Sequence, residues 1–229
     1  MSVHEGHRER LKTQFRLNGL DSLTDINALE LLLFYAIPRR DTNEVAHALL
    51  ERFGSLSSVF KASIPELCQV DGVGENTALL ITLLPQMVRK YLVSDTETAP
   101  VLRTSRDAGK YLVPRFAFEQ DEVALLLCLD SQRRVTGCHE LARGVVNSVD
   151  VSVRKVVETA LSQKASSVIL SHNHPDSIAL PSTADIMLTE RLYKALNLVN
   201  IELADHIVVA GERFHSLRDA GIFMNFRGV

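Results

Sequence analysis

Apolar residues along this chain change their period near residue 93. Up to about residue 92 they recur three or four apart, the spacing of one helical face. NALELLLFYA (27–36), TNEVAHALLERF (42–53) and ENTALLITLLPQMVRKYL (75–92) are predicted helices, separated by Gly, Pro and polar breaks. Pro85 is expected to kink or break the last one, because proline donates no N–H and its ring crowds the preceding turn. The polar, proline-containing stretch VSDTETAPVLRT (93–104) reads as a linker between a helical domain (1–92) and a second domain (105–229).

Beyond the linker the pattern is mixed. EVALLLCLD (122–130) is a short apolar run ending at a turn, and RVTGCHELA (134–142) is its predicted partner strand. VSVRKVVETALSQK (151–164) spaces Val153, Val156, Val157, Ala160 and Leu161 along one helical face. SSVIL (166–170) is a compact buried strand. ADIMLTERLYKALNLV then carries Leu188, Leu192, Leu196 and Val199 on one stripe, and DHIVVAGERFHSL (205–217) reads as a hairpin turning at Gly211-Glu212.

Composition narrows the class without naming a function. Apolar residues at 46% and charged ones at 23% are those of a globular chain, and 229 residues suffice for one or two cores. A net charge of −3 gives no electrostatic footing for nucleic acid or an anionic membrane. No apolar run approaches the ~18 residues of a membrane span, and the opening MSVHEGHRERLK lacks the apolar stretch of a signal peptide. Cys68, Cys128 and Cys138 are an odd number without C-x-x-C spacing, which fits buried thiols in a reducing compartment. A cytoplasmic location is expected.

The chemistry gathers in SHNHPDSIALPSTAD (171–185). In an extended segment, residues two apart point the same way, so His172 and His174 project together while Asn173 faces the other side. Asp185, near the start of the next helix, is placed to close a triangle. Two imidazoles and a carboxylate with a fourth position left for water form a catalytic zinc arrangement, whereas structural zinc sites use four protein ligands. Pro175 and Pro181 stiffen the loop. The competing explanation is a helix cap, with Ser182 accepting a backbone N–H and Asp185 meeting the helix dipole. A cap accounts for Ser182 and Asp185 and leaves the two histidines unexplained. A metal-bound water also needs a base, and Glu122, opening the EVALLLCLD strand, is the candidate. Read alone, it is better explained as a charged residue at a strand end.

H-x-H, seven residues, then S-x-x-D resembles the signature of the JAB/MPN metallohydrolases, the JAMM motif, at His172, His174, Ser182 and Asp185. More closely, the chain resembles bacterial RadC proteins. GHRERL, LTDINALELLLFYAI, FGSL…ASIPEL…VDGVGENTA, EVALLLCLDSQRRV, ILSHNHP…PSTAD and ADHIVV carry that resemblance over nearly the whole length. It implies a two-domain protein: an all-α helix-hairpin-helix-like bundle, then an α/β JAB/MPN sandwich of cytidine-deaminase-like form around a curved sheet. It also implies one Zn2+ per chain held by His172, His174 and Asp185, with water as fourth ligand. Glu122 matches the glutamate that activates that water, and Ser182 the serine that orients or stabilises the oxyanion. Peptide or isopeptide bonds are the implied substrates. The chain departs from the family pattern at Asp176-Ser177, where Ser-Gly is usual, at Gly144-Val145, and at Ser152-Val153-Arg154; each bears on the substrate groove. Asp205-His206 matches the family's Asp-His pair, explained by hydrogen bonding at a strand start or by a place beside the metal.

VDGVGENTALLI resembles the hairpin of a helix-hairpin-helix unit, which implies DNA phosphate contacts from the backbone at Gly72, Val73 and Gly74. The plainer reading is a glycine turn joining two packed helices. Residues 1–92 hold ten Lys/Arg and eleven Asp/Glu, a net −1, and Glu75 follows the turn directly; a phosphate-binding face would be basic. Three readings therefore stand at this level. They are a zinc hydrolase with a protein or peptide substrate, a DNA-binding repair or recombination accessory with the zinc domain as scaffold, and a metal-dependent nuclease. None involves a membrane partner, and no pattern in the chain points to an oligomeric state.

Overall fold

The computed structural model describes residues 3–38, 40–94, 99–144, 151–175 and 177–226. Two residues singled out in the sequence, Val145 and Asp176, lie outside the described residues. The chain divides into two compact units, Met1–Val88 and Arg89–Val229.

The first unit is helical: α1 (Val3–Asn18), α2 (Asp25–Ala36), α3 (Asn43–Phe53), α4 (Leu56–Lys61), α5 (Ile64–Leu67) and the greater part of α6 (Glu75–Ser94). Side-chain oxygens start several of these helices by accepting orphan backbone N–H groups. Thr24 accepts from Asn27 N and Ser55 from Ser58 N, while Ser63 and Glu66 form a reciprocal capping box. Leu29 and Leu33 of α2, Ala46 and Leu49 of α3, Val59 of α4, Leu67 of α5 and Ile81 of α6 make one apolar core. Pro85 does not break α6, which runs through it to Ser94.

The glycine turn before α6 is set by packing. Gly72 has φ +83°, and a Cβ there would come within 2.7 Å of Val45 Cγ2 on α3. Only glycine meets both conditions without strain. Val73 is buried in the core, and its N–H donates to Val70 O at 3.1 Å. The carbonyl of Gly74 accepts from Thr77 and Ala78 N–H, each at 3.0 Å, opening α6.

The second unit contains α7 (Ser105–Phe116), β1 (Val123–Leu129), β2 (Val135–Arg143), α8 (Val153–Ser162), β3 (Ser167–Asn173), α9 (Thr183–Leu198), β4 (Glu202–Ala210) and β5 (Arg213–Ser216). The sheet order is β2-β1-β3-β4-β5, with only the β3–β4 pair parallel, as the crossover through α9 requires. β1 and β3 are buried on both faces, which explains their unbroken apolar runs. Leu126, Leu170 and Leu203 pack toward α8 and α9; Leu125, Leu127 and Ile169 pack toward α7. The result is a sheet between helical layers, the mixed α/β arrangement expected.

Several particulars differ from the sequence reading. The helix α7 is not visible as a distinct pattern, because its buried positions include Gly109 and Tyr111 among Lys and Arg. Residues 99–104, read as linker, are attached to the second unit. Val101 bridges Arg134, and Leu102 is buried in the α7-side core. Leu161, placed on the α8 core face, is exposed. Of the three cysteines only Cys128 is buried, and all three are free thiols.

Candidate metal centre

β3 does not stop at Leu170. Its ladder continues, pairing His172 with Ala124 of β1 and Val208 of β4. His172 therefore shares the face of Val168 and Leu170, directed at α9, and is 5% exposed. His174 follows the strand end, its N–H donating to Val209 O at 2.8 Å, so its backbone is still held by β4. The period of two places both rings on one side, where they meet edge-on with Nε2 atoms 3.1 Å apart.

Asp185 arrives from the first turn of α9, and the cap and the cluster are the same structure. Its Oδ2 accepts from Ser182 N at 2.7 Å and Ser182 Oγ at 2.6 Å, and Ser182 Oγ in turn accepts from Asp185 N at 3.2 Å. This capping box leaves Oδ1 directed at His172 Nε2, 3.4 Å away. Burial pushes the Asp185 carboxyl up, but the contact with His172 and the hydrogen bonds from Ser182 outweigh it. The net effect holds the group well below the usual carboxylate range, so it stays ionised.

One ligand atom each from His172, His174 and Asp185 lie within 4.8 Å of one another. Two ligands of a tetrahedral zinc with bonds of about 2.0–2.1 Å sit about 3.3 Å apart. The 3.1 Å and 3.4 Å edges match that spacing. Chemistry agrees with geometry. His174 Nδ1 is 3.1 Å from the Ile178 carbonyl, which can only accept, so Nδ1 carries the proton and Nε2 is a bare lone pair facing the cluster. An imidazole lone pair and an ionised carboxylate pointed at one small volume fit a cation. The residues present thus suit a metal ion.

Around this cluster sit the Asp205-His206 pair, for which the sequence left two readings open, and Asn173, to which it gave no role. His206 is fully buried; its Nε2 is 2.9 Å from His172 Nδ1 and its Nδ1 is 2.6 Å from Thr189 Oγ1. Burial, with the neighbouring His172 as a second cause, lowers the His206 pKa well below the ordinary histidine value and keeps the ring neutral. Asp205 serves the strand itself, accepting from His206 N, Arg218 N and Ser216 Oγ, and burial raises its carboxyl. The two halves of the Asp-His pair therefore do different things. Asn173, facing away from the histidines as its parity demands, accepts from Val123 N at 2.6 Å and donates to Asp121 O at 3.0 Å. It clamps the backbone on either side of Glu122. No sequence signal separates such an asparagine from an ordinary polar residue.

Glu122 sits immediately before β1, half-buried, with its carbonyl accepting from Gly144 N at 3.0 Å. Together with His174 and Pro175 it lines an open cleft of about 350 Å3. Ser182 is placed by the capping box, and its hydroxyl proton is given to Asp185. Gly72, Val73 and Gly74 belong to the first unit.

A model of the RadC-like JAB domain matches residues 102–222, just over half of the chain. The chain belongs to the RadC family. Relatives extend the match beyond that domain. A UPF0758 protein of Fusobacterium nucleatum is 33% identical over 228 residues, spanning 96% of this chain and 97% of its own. Another, from Nitrosococcus oceani, is 34% identical over 220 residues, with 96% of each covered. In this RadC-family chain the JAMM-type pattern thus falls on side chains that do converge, as candidates for a metal site. Among the described residues, no helix is long and apolar enough to cross a membrane.

Proposed function

We propose that this RadC-family protein is a JAMM-type zinc hydrolase cleaving a peptide or isopeptide bond. The observation that carries this reading is the convergence of two imidazole nitrogens and an ionised carboxylate oxygen at ligand–ligand spacing, 3.1 and 3.4 Å. They lie beside an open cleft with a carboxylate on its wall. Zinc held by His172, His174 and Asp185 would supply Lewis acidity, polarising the scissile carbonyl and acidifying a water. Glu122 is assigned the proton traffic: it takes a proton from the attacking water and delivers it to the departing amine, so that the acyl carbon gains hydroxyl as the nitrogen gains hydrogen. Its place on the cleft wall with His174, and the clamp of Asn173 on its neighbours, support that role.

Ser182 enters as the residue that holds Asp185. Stabilising an oxyanion as well would require its single hydroxyl proton to leave the 2.6 Å bond to Oδ2. One metal position and one carboxylate base suit amide hydrolysis, where phosphodiester chemistry commonly employs two metals. In the helical unit, the contact of Gly72 with Val45 accounts for the glycine turn without a phosphate.

The test compares wild type, Asp185→Ala and Glu122→Gln in metal content and in cleavage of labelled peptide, isopeptide and DNA substrates. Wild type is expected to carry about one zinc per chain and Asp185→Ala almost none. Glu122→Gln should keep its zinc and lose amide cleavage by roughly 10²–10⁴-fold, the usual weight of a general base. Wild type without metal would end the proposal; DNA cut in place of peptide would move it to a nuclease.

A further inference from the structure

We propose that Thr189 and His206 are positioning residues for the metal site, fixing the tautomer of His172 through a buried hydrogen-bond relay that starts at the main-chain carbonyl of Asp185. This rests on the zinc reading above and assigns roles to two residues outside the H-x-H…S-x-x-D pattern.

The direction of every bond in the relay follows from its far end. Thr189 Oγ1 is 2.5 Å from the carbonyl oxygen of Asp185, one helical turn earlier. A carbonyl has no proton to give, so the threonine hydroxyl donates there. That hydroxyl has only one proton. At 2.6 Å from His206 Nδ1 it must therefore accept, and His206 carries its proton on Nδ1. A neutral imidazole protonated at Nδ1 presents a lone pair at Nε2. The 2.9 Å contact between His206 Nε2 and His172 Nδ1 is then made by the Nδ1–H of His172. What remains is His172 Nε2, the nitrogen facing His174 Nε2 and Asp185 Oδ1, whose lone pair is open to a metal once any proton shared with Asp185 is displaced.

Running the relay backwards fails at its start. If Thr189 donated to His206, its oxygen would face the Asp185 carbonyl at 2.5 Å with no proton between them. Bulk solvent does not reach the relay, because His206 and Thr189 are both fully buried. The topology makes this possible: β3 carries His172, its parallel neighbour β4 carries His206, and the crossover helix α9 supplies Thr189. The relay begins on the residue whose carboxylate is the third ligand. Asp185 thus aims one ligand by its side chain and sets the proton of another by its main chain.

Thr189→Val keeps the shape and removes the hydroxyl. His206 Nδ1–H then has no acceptor, and moving that proton to Nε2 turns the next bond around. His172 becomes protonated on Nε2, the nitrogen that zinc needs. Partners of metal-bound histidines of this kind typically carry a 10–100-fold effect on affinity. The experiment measures zinc dissociation constants for wild type, Thr189→Val and Thr189→Ser by chelator competition. It also reads the His172 tautomer in each metal-free, ¹⁵N-labelled protein from two-bond ¹H–¹⁵N correlations.

The expected result is a proton on His172 Nδ1 in wild type and Thr189→Ser, none on Nδ1 in Thr189→Val, and about 10–100-fold weaker zinc in Thr189→Val alone. A wild-type His172 with no proton on Nδ1 overturns the proposal. So does equal weakening by Val and Ser, which would assign the loss to packing. If wild type holds no zinc, the hydrolase reading falls, while the tautomer spectra still decide the relay.

Discussion

A histidine can take a metal only through a ring nitrogen free of its proton, so what matters at the residue scale is where each proton is parked. The spacing His172-x-His174 predicts two rings on one face, and that is where they lie. The sequence could not say which nitrogens point inward, because the outer partners, the Ile178 carbonyl and His206, are set by loop path and strand pairing. The glycine turn was legible in the opposite sense. Gly72 and Gly74 look alike in the sequence, yet only Gly72 has positive φ and a neighbour at 2.7 Å, while a Cβ on Gly74 would meet nothing within 4 Å. Gly72→Ala should therefore destabilise the helical unit by about 1–3 kcal/mol, through backbone strain and overpacking. Gly74→Ala should move the denaturation midpoint little. Equal effects of the two would show that the turn is not held by packing against α3.

At the scale of elements, the start of α9 does two jobs at once. Cap and metal cluster are usually alternative explanations of an S-x-x-D, and here the two carboxylate oxygens divide them: Oδ2 caps, Oδ1 faces His172. Ser182→Ala removes the hydroxyl that anchors Oδ2. It should lower stability by about 1 kcal/mol, as lost N-caps do, and weaken zinc binding because Asp185 is less constrained. A variant with full zinc affinity and a lowered melting temperature would confine Ser182 to capping. The strands were legible because β1 and β3 are buried on both faces and read as continuous apolar runs. The helix α7 was not, since Gly109 sits on its buried face, where a Cβ would run into Phe214 of β5. Close approach there replaces the apolar side chains that would have announced the helix.

At the scale of the molecule, binding energy at a site assembled from β3, its following loop and α9 is folding energy for the unit that contains them. With zinc at about 100 times its dissociation constant, the second unit should gain about 2.7 kcal/mol. Hydrogen exchange should slow in β3, β4 and α9 and be unchanged in α2 and α3, and a chelator should reverse the effect. Protection that rises equally in both units, or in neither, would contradict a metal site built only from the second.

The sequence by itself determined the helical first part, the apolar strands and the residues able to hold a metal, because all of these are carried by local period and side-chain chemistry. Only the tertiary structure decided which of those residues meet, where residues 99–104 attach, and that Asn173, Thr189 and His206 flank the site. These depend on strand register, on a crossover through α9 and on the direction of individual hydrogen bonds. Such relations join residues 17 to 52 positions apart and leave no trace in the spacing of any one segment.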